Sequence, residues 1–424
     1  MTRKGIYRII LIGCLAATLV LLGYYGIQAM NNQVPDHMNI MVGETEYLSS
    51  ALPIEMEPED ESIAANFSTA PQVQEGQLNK TQVAMHATET GSFTMKVKLF
   101  GIFPWKSVQV DVINNNIALT PSGLPVGISM ETDGLLVLGT GRIEGADGLN
   151  YEPALSLLQT GDYILGVNGT AVNSKHNLVK RIQDAGGENV TLTVRRNGEE
   201  TDLLVAPVKS SDGQYKIGAW IRDDTQGIGT ITYVDSNKRF GALGHGITDV
   251  DTGILMELKR GDLYPLTIVD IKKGTKGNPG EIVGFLETGK EEKIGEILSN
   301  SSKGIFGSWS EKETSQNEYG ALPIALKQEI EKGPATILSG IDGTVKEYEI
   351  EIEKLYLNSD SANKGMVIHV TDENLLSLSG GIVQGMSGSP ILQNGKIIGA
   401  VTHVFVKDST RGFGIFIENM LSEK

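Results

Sequence analysis

The sequence predicts a mostly β fold behind one N-terminal apolar helix, in a chain of 424 residues long enough for two or three domains. Three observations carry this. Apolar and polar residues alternate in short runs, the period of half-buried strands. Glycine is frequent, 51 residues against an ordinary share of about 7%, and it sits with Asn and Asp between those runs. The one long uncharged stretch is at the N-terminus, and helical periodicity is scarce beyond it. With 40% hydrophobic and 21% charged residues, most of the chain can bury a core.

Composition also excludes chemistries. A net charge of −16 argues against a nucleic-acid partner, which needs a basic face. The single cysteine, Cys14, lies in an apolar run, which removes intramolecular disulfides, Cys-ligated zinc and an exposed thiol nucleophile. The six histidines form no H-E-x-x-H, and no G-x-x-x-x-G-K-[ST] loop occurs. Neither a metal nor a cofactor is expected.

Residues 1–30 read as a cytoplasmic flank and membrane anchor. Arg3, Lys4 and Arg8 precede an uncharged run from Ile9 to Pro35 whose core, Ile9 to Leu22, is strongly apolar. About 20 such residues span a bilayer, and the basic flank stays inside. A cleaved signal peptide is the competitor, but no clear A-x-A site follows. Residues 31–92 hold ten acids and one base, Lys80, and are interrupted by Pro53, Pro58 and Pro71. With Glu55 to Glu61 reading EMEPEDE, the expectation is an extended acidic tether with at most one weak strand over Met38 to Leu48.

Residues 93–120 read as an antiparallel strand pair, Phe93 to Phe100 and Ser107 to Ile113, around Gly101–Trp105. Residues 121–208 follow as a separate unit. Gly127 to Gly139 suggests two strands turning at Asp133-Gly134. A short helix is expected over Glu152 to Asp162, then a strand closing in Asn168-Gly169, a helix at Ser174 to Ala185, and two strands about Asn197-Gly198. Thr160-Gly-Asp-Tyr-Ile-Leu-Gly-Val-Asn-Gly169 resembles the G-D-x-I-x-x-x-N-G segment of PDZ domains. That resemblance puts the peptide-carboxylate loop at Pro125, Val126, Gly127 and Ile128, and implies peptide or partner binding beside the following strand. Pro125 has no N–H and departs from the Gly-Leu-Gly-Phe pattern. The plain alternative is a structural β-unit without a ligand.

Residues 212–424 alternate short apolar strands with turns, which suits a mostly β domain of double-barrel type; helical periodicity is confined to about Pro323 to Lys332. Two glycine-embedded segments stand out, Phe240-Gly-Ala-Leu-Gly-His245-Gly and Gly380-Gly-Ile-Val-Gln-Gly-Met-Ser387-Gly-Ser-Pro390. Glycine permits unusual dihedrals and close substrate approach, and a serine nucleophile needs an imidazole and N–H donors for its oxyanion. G-M-S-G-S-P resembles the G-x-S-G-x-P nucleophile segment of chymotrypsin-like serine peptidases. By that resemblance Ser387 is the nucleophile and the N–H groups of Gly385 and Ser387 form the oxyanion hole. The order His then Ser also fits that class.

The whole arrangement, an anchor, a PDZ unit, G-A-L-G-H-G and G-I-V-Q-G-M-S-G-S-P-I, resembles the SpoIVB (stage IV sporulation protein B) serine peptidase family. Lys272 to Glu281 and Ala400 to Phe405 fit it as well. The resemblance implies a chymotrypsin-like double β-barrel in a peptidase held at the forespore membrane, its domains in the intermembrane space. There the family cleaves the inhibitory membrane subunit of the pro-sigma-K processing complex, and it processes its own N-terminal region. It favours His245 as base and Asp372 as triad acid. Asp249 and Asp251 are the alternative acids, His369 and His403 the alternative bases, and Ser389 the alternative nucleophile; each has a plainer role as a turn acid, a strand histidine or a structural serine. Competing functions are an HtrA-like envelope quality-control protease, in which the PDZ domain follows the protease rather than precedes it, and a PDZ adaptor with a dead peptidase fold.

Overall fold

The computed structural model describes residues 3–31, 34–60, 67–73, 81–114, 117–288, 292–310, 319–359 and 361–423. Helix α1 covers Arg3–Asn31. Its described apolar side chains, among them Leu11, Ile12, Leu15, Leu19 and Leu22, are exposed. Among the described residues, no helix is long and apolar enough to cross a membrane.

The next unit corrects the expected tether. Strands β1 (His37–Met41), β2 (Thr45–Ser50), β3 (Ile54–Pro58), β4 (Phe67–Val73), β5 (Thr81–Ala87), β6 (Gly91–Leu99) and β7 (Phe103–Ile113) follow one another. They form a sheet in the order β1-β7-β6-β3 and another in the order β2-β5-β4. Met38, Ile40, Leu48, Ile54, Met56, Val83, Met85, Met95, Val97, Val108 and Val110 bury one shared core. Acidity summed over a window misleads here, because a strand sorts its acids by face. In β3, Ile54 and Met56 point in while Glu55 and Glu57 point out. The unit is not loose: Asn39 Nδ2 donates to Glu418 Oε1 at 2.6 Å, and Gln328 Nε2 donates to the Asn39 carbonyl at 2.7 Å. The expected strand pair is present as β6 and β7, which pair antiparallel.

The middle of the chain contains β8 (Ala118–Pro121), β9 (Pro125–Thr140), β10 (Ile143–Glu144), β11 (Asn150–Tyr151), β12 (Tyr163–Val167), β13 (Thr170–Ala171), helix α2 (Lys175–Asp184), β14 (Val190–Arg196), β15 (Glu199–Val205), β16 (Val208–Lys209), β17 (Tyr215–Lys216) and β18 (Ala219–Val234). Then come β19 (Arg239–Ala242), β20 (Leu258–Lys272), β21 (Glu281–Leu286), β22 (Gly295–Ser301), β23 (Gly304–Trp309) and β24 (Leu322–Pro323). The last stretch is β25 (Gly333–Ser339), β26 (Lys346–Leu355), β27 (Met366–Val370), helix α3 (Glu373–Ser379), β28 (Pro390–Gln393), β29 (Lys396–Phe405), β30 (Asp408–Phe416) and helix α4 (Ile417–Leu421).

Two barrels result. The second is closed in the order β25-β26-β27-β30-β29-β28. The first closes through β9-β20-β22-β23-β19-β18, with β18 pairing back onto β9. Its core is Val126, Ile128, Ile231, Phe240, Ala242, Leu263, Ile297 and Ile305.

β9 overturns the expected turn at Asp133-Gly134. It is one 16-residue strand. Residues Val126 to Thr132 pair with β20 inside the first barrel, while Leu135 and Leu136 pair with β12. Gly134, at φ +96°, absorbs the bend between them. β18 returns beside β9, so the unit between them is inserted into the first barrel through two long strands. That unit has its own core of Leu135, Val137, Leu158, Ile164, Leu178, Ile182, Leu192 and Val194. Ser174 caps α2 as its sequence suggests, and Asn197-Gly198 turns β14 into β15 with both residues at positive φ. The helices expected at Glu152–Asp162 and Pro323–Lys332 are turns and short bridges instead.

Candidate active site

The nucleophile loop joins α3 to β28 and is shaped from outside. Thr230 of β18 donates its N–H to the Ser387 carbonyl at 2.9 Å and its Oγ1 hydrogen to the Gly385 carbonyl at 2.7 Å. Gly388 lies so close to the Thr230 carbonyl that a Cβ would stand 1.9 Å from it, so no side chain fits. With both loop carbonyls turned toward the first barrel, the N–H groups of Gly385 and Ser387 have no partner among the described hydrogen bonds. Two free donors beside a serine are the arrangement an oxyanion needs. Gly385 stands at φ +101° to allow it.

Ser387 Oγ donates to the Thr402 carbonyl of β29 at 2.6 Å. The next residue, His403, packs its ring on that of His245, centroids 4.8 Å apart and tilted by 37°. Hydroxyl and imidazole therefore converge on Thr402–His403, though no described hydrogen bond joins them directly. His245 follows Leu243 and Gly244, both at φ +68°. At Gly244 a Cβ would lie 2.8 Å from Ile415 and 2.9 Å from Thr402, so only glycine lets the first barrel's loop press this closely on the second barrel. His245 Nδ1 lies 2.9 Å from the Gly246 carbonyl. A carbonyl can only accept, so the proton is assigned to Nδ1 and Nε2 is left as the acceptor a general base requires. Burial holds His245 below the ordinary imidazole range, against the opposite pull of the Gly246 carbonyl. His403 is pulled down to about 4 by desolvation first, then by His245 and Lys364. Two neutral rings stack without repulsion.

The other predicted residues have different surroundings. Asp372 is the N-cap of α3: its Oδ1 accepts from the N–H groups of Asn374 and Leu375, both at 2.9 Å. No described contact joins it to His245. The signal is in the sequence, since Asp before a Glu-Asn-Leu-Leu run reads as a cap, but α3 is too short to show helical periodicity. Asp249 is buried and accepts from Thr252 N–H at 2.8 Å and from Asp251 N–H at 3.0 Å. Asp251 accepts from Arg222 at 2.7 Å. His369 lies near the Glu353–Arg411 ion pair, 3.7 Å from the Glu353 carboxylate. Ser389 is wholly buried, out of a substrate's reach. Among the described hydrogen bonds and ring contacts, those of His245 are with the Gly246 carbonyl and with His403, and His403 is the residue that sequence reasoning underweights.

The expected peptide-carboxylate loop is corrected. Pro125, Val126, Gly127 and Ile128 are all buried in β9; Val126 to Ile128 are paired on both sides, with β18 and β20, and Pro125 with β18. No edge remains there for a peptide. The open edge belongs to the start of β18. Ala219 to Arg222 pair with β9 on one side only, next to α2, behind the tight loop at Gly218 with φ +70°. The apolar-Gly-apolar signal Ile217-Gly-Ala219 points to this edge, but it lies past residue 208, where the sequence pattern ends the unit.

Fold and site together define a serine peptidase carrying a PDZ unit. Residues 213–421 match the family described as SpoIVB peptidase S55, and residues 158–196 match the PDZ domain. Residues 213–421 are a SpoIVB peptidase S55 domain. No curated protein matches the chain. Among solved structures, the active form of the Rv3671c protease from M. tuberculosis is 15% identical over 48% of this chain and 73% of that one, with a TM-score of 0.27. An inactive serine-to-alanine form of the same protease is 12% identical over 47% and 79%, TM-score 0.24. The PDZ domain of the SdrC-like protein from Listeria monocytogenes is 21% identical over 21% and 87%, TM-score 0.17. Likenesses at such TM-scores assign no function to this chain.

Proposed function

We propose that this peptidase works as a membrane-anchored signalling endopeptidase of spore formation, with Ser387 as nucleophile and His245 as base. The observation that carries the site is the convergence of both on Thr402–His403, beside the unpartnered N–H groups of Gly385 and Ser387. Catalysis begins when the Ser387 hydroxyl leaves the Thr402 carbonyl and turns to Nε2 of His245. Oγ attacks the scissile carbonyl carbon as its proton passes to Nε2. The carbonyl oxygen takes the negative charge and is held by the two N–H groups. His245 then returns the proton to the leaving amine, and water, deprotonated by the same imidazole, releases the acyl group.

The family supports the finer assignments. The substrate is the inhibitory membrane subunit of the pro-sigma-K processing complex, met in the space between the two forespore membranes. The chain's own N-terminal region is a second substrate. The anchor rests on the family and on the basic residues Arg3, Lys4 and Arg8 ahead of the uncharged run, not on the length or apolarity of α1. The PDZ edge along Ala219 to Arg222 takes an extended segment of the substrate or partner by strand addition.

Fluorophosphonate labelling tests the site: wild type takes the label, and neither Ser387→Ala nor His245→Ala does. Equal labelling of all three would remove the assignment. N-terminal sequencing of the matured form places its start after Met30 and before Phe93; a start elsewhere rejects self-cleavage in this region.

A further inference from the structure

One strand touches both catalytic loops and the PDZ unit as well. β18 starts in the PDZ unit, where Ala219 to Arg222 pair with Leu136 to Thr140 of β9. Eight residues past Arg222, Thr230 holds the carbonyls of Gly385 and Ser387. From the PDZ end, Arg222 reaches to the loop that follows His245. Its Nη1 meets the Asp249 carboxylate, and its Nη2 donates to Asp251 Oδ2 at 2.7 Å.

The Asp249 contact is of a kind that matters energetically. The Asp249 side chain is wholly out of solvent, with 0% exposure. A buried carboxylate without a cation is strongly unfavourable, so the loop keeps this shape only with Arg222 in place. The other carboxylate oxygen ties the loop to itself, accepting from Asp251 N–H, Thr252 N–H and Thr252 Oγ1 at 3.0, 2.8 and 2.9 Å. Nearer His245, the loop is fixed to the barrel by Asn300, which accepts from Ile247 N–H at 2.8 Å and donates to the Ile247 carbonyl at 3.0 Å. The segment carrying His245 is thus clamped by its own barrel on one side and by a residue of the PDZ-borne strand end on the other.

We propose that Arg222 is a positioning residue for His245, and that through it the PDZ unit sets the geometry of the catalytic base. The proposal rests on the assignment of Ser387 as nucleophile and His245 as base. A segment bound along Ala219 to Arg222 presses on the strand that carries Arg222, and the displacement reaches both loops through Asp249 and Thr230. The surface that recognises the substrate is thereby the surface that aligns the base.

The test measures the second-order rate of fluorophosphonate labelling of the full chain across pH. This probe is too small to use the PDZ edge, so the rate reports the catalytic geometry alone. Arg222→Gln is expected to slow labelling about 10- to 100-fold, the cost of a small misplacement of a reacting group. Arg222→Lys keeps the charge and regains part of the rate. The pH at which labelling falls on the acid side moves in Arg222→Gln, a shift that a merely structural role would not produce. Asp249→Asn adds no further loss in the Arg222→Gln background. At the PDZ end, Gly218→Ala forces a Cβ to within 2.6 Å of the Gly141 carbonyl. It slows labelling in wild type but not in Arg222→Gln. Wild-type labelling of Arg222→Gln, with Ser387→Ala silent, overturns the proposal and leaves the peptidase reading intact. Additive losses from Gly218→Ala and Arg222→Gln overturn the coupling to the PDZ unit. A wild-type chain that takes no label removes the reading on which both depend.

Discussion

The two barrels have the same number of strands and are supported in opposite ways. The first, with His245, is interrupted: β9 leaves it, the PDZ unit intervenes, and β18 returns. The second, with Ser387, runs without interruption from β25 to β30 and is leaned on from outside by the N-terminal β unit, through side chains at Asn39 and Glu418. A unit joined by two continuous strands can transmit displacement, because strands are stiff along their length. A unit joined by side chains passes on little displacement, but its contacts titrate. The catalytic site lies where the two barrels meet, so each half of the pair can be disturbed separately.

The largest expected effect falls on the second barrel. Ser387→Ala removes the nucleophile and lowers kcat by about 10⁴-fold or more, with an unchanged melting temperature. A mutant that still cleaves at the wild-type rate would end the division of labour between the barrels.

The next effect tests the contact between them. His403→Ala takes away the ring that packs on His245 and is expected to lower kcat/KM about 10- to 100-fold. The pH profile adds the sign. The base works when neutral, so activity is present above the pKa of His245 and falls as pH drops through it. Burial keeps that pKa under the ordinary value of 6.5, so the acid limb of wild type lies below pH 6.5. Without His403, water reaches the ring, the pKa rises, and the limb moves upward. An unmoved limb would mean that His403 does not shape the environment of the base.

A third, smaller effect concerns Asp372, which the family resemblance assigns to the triad and the structure places at the start of α3. Asp372→Ala should cost about 1 kcal/mol of stability as a lost cap, while Asp372→Asn, also a good cap, should cost little. Both should keep most of the activity. A fall of about 10⁴-fold in Asp372→Asn, the scale expected when a triad acid is lost, would return the residue to the catalytic machinery.

What can be read in the sequence follows the same division between the barrels. Around Ser387, the glycines, the Asn394-Gly395 turn and the strands β28 and β29 are neighbours in the chain, so local pattern is enough. The PDZ turns at Asn168-Gly169 and Asn197-Gly198 are legible for the same reason, because two residues at positive φ leave few alternatives. The first barrel is not, since β9 acquires its meaning from β18 and β20, which lie far along the chain. Pro125 to Ile128 therefore read as a loop opening a PDZ domain when they are the middle of a barrel wall. The N-terminal unit escapes notice because window charge outweighs alternation, although Ile54-Glu-Met-Glu already carries the period of two.

The smallest effect belongs to the side-chain contact that supports the second barrel. Glu46 is buried in β2, near Glu329 and Lys396, and its pKa is raised to about 7 by burial first and then by Glu329, against the pull of Lys396. A carboxyl whose folded pKa lies above its unfolded one binds its proton more tightly when folded. Its stabilising share is complete below about pH 4.5 and is lost as pH rises through about 7. Glu46→Gln imitates the protonated form at every pH. It should raise the melting temperature by a few degrees at pH 8 and leave it unchanged at pH 4, measured by calorimetry on the full chain. The PDZ attachment has no such dependence expected of it. Burial pushes the Asp249 carboxyl up, but bonds from Thr252 and the charge of Arg222 outweigh it and hold the group below the ordinary carboxylate value, and an arginine keeps its charge throughout that range. An equal gain from Glu46→Gln at both pH values would show that the N-terminal unit is held by packing alone, and the contrast between a transmitting attachment and a titrating one would disappear.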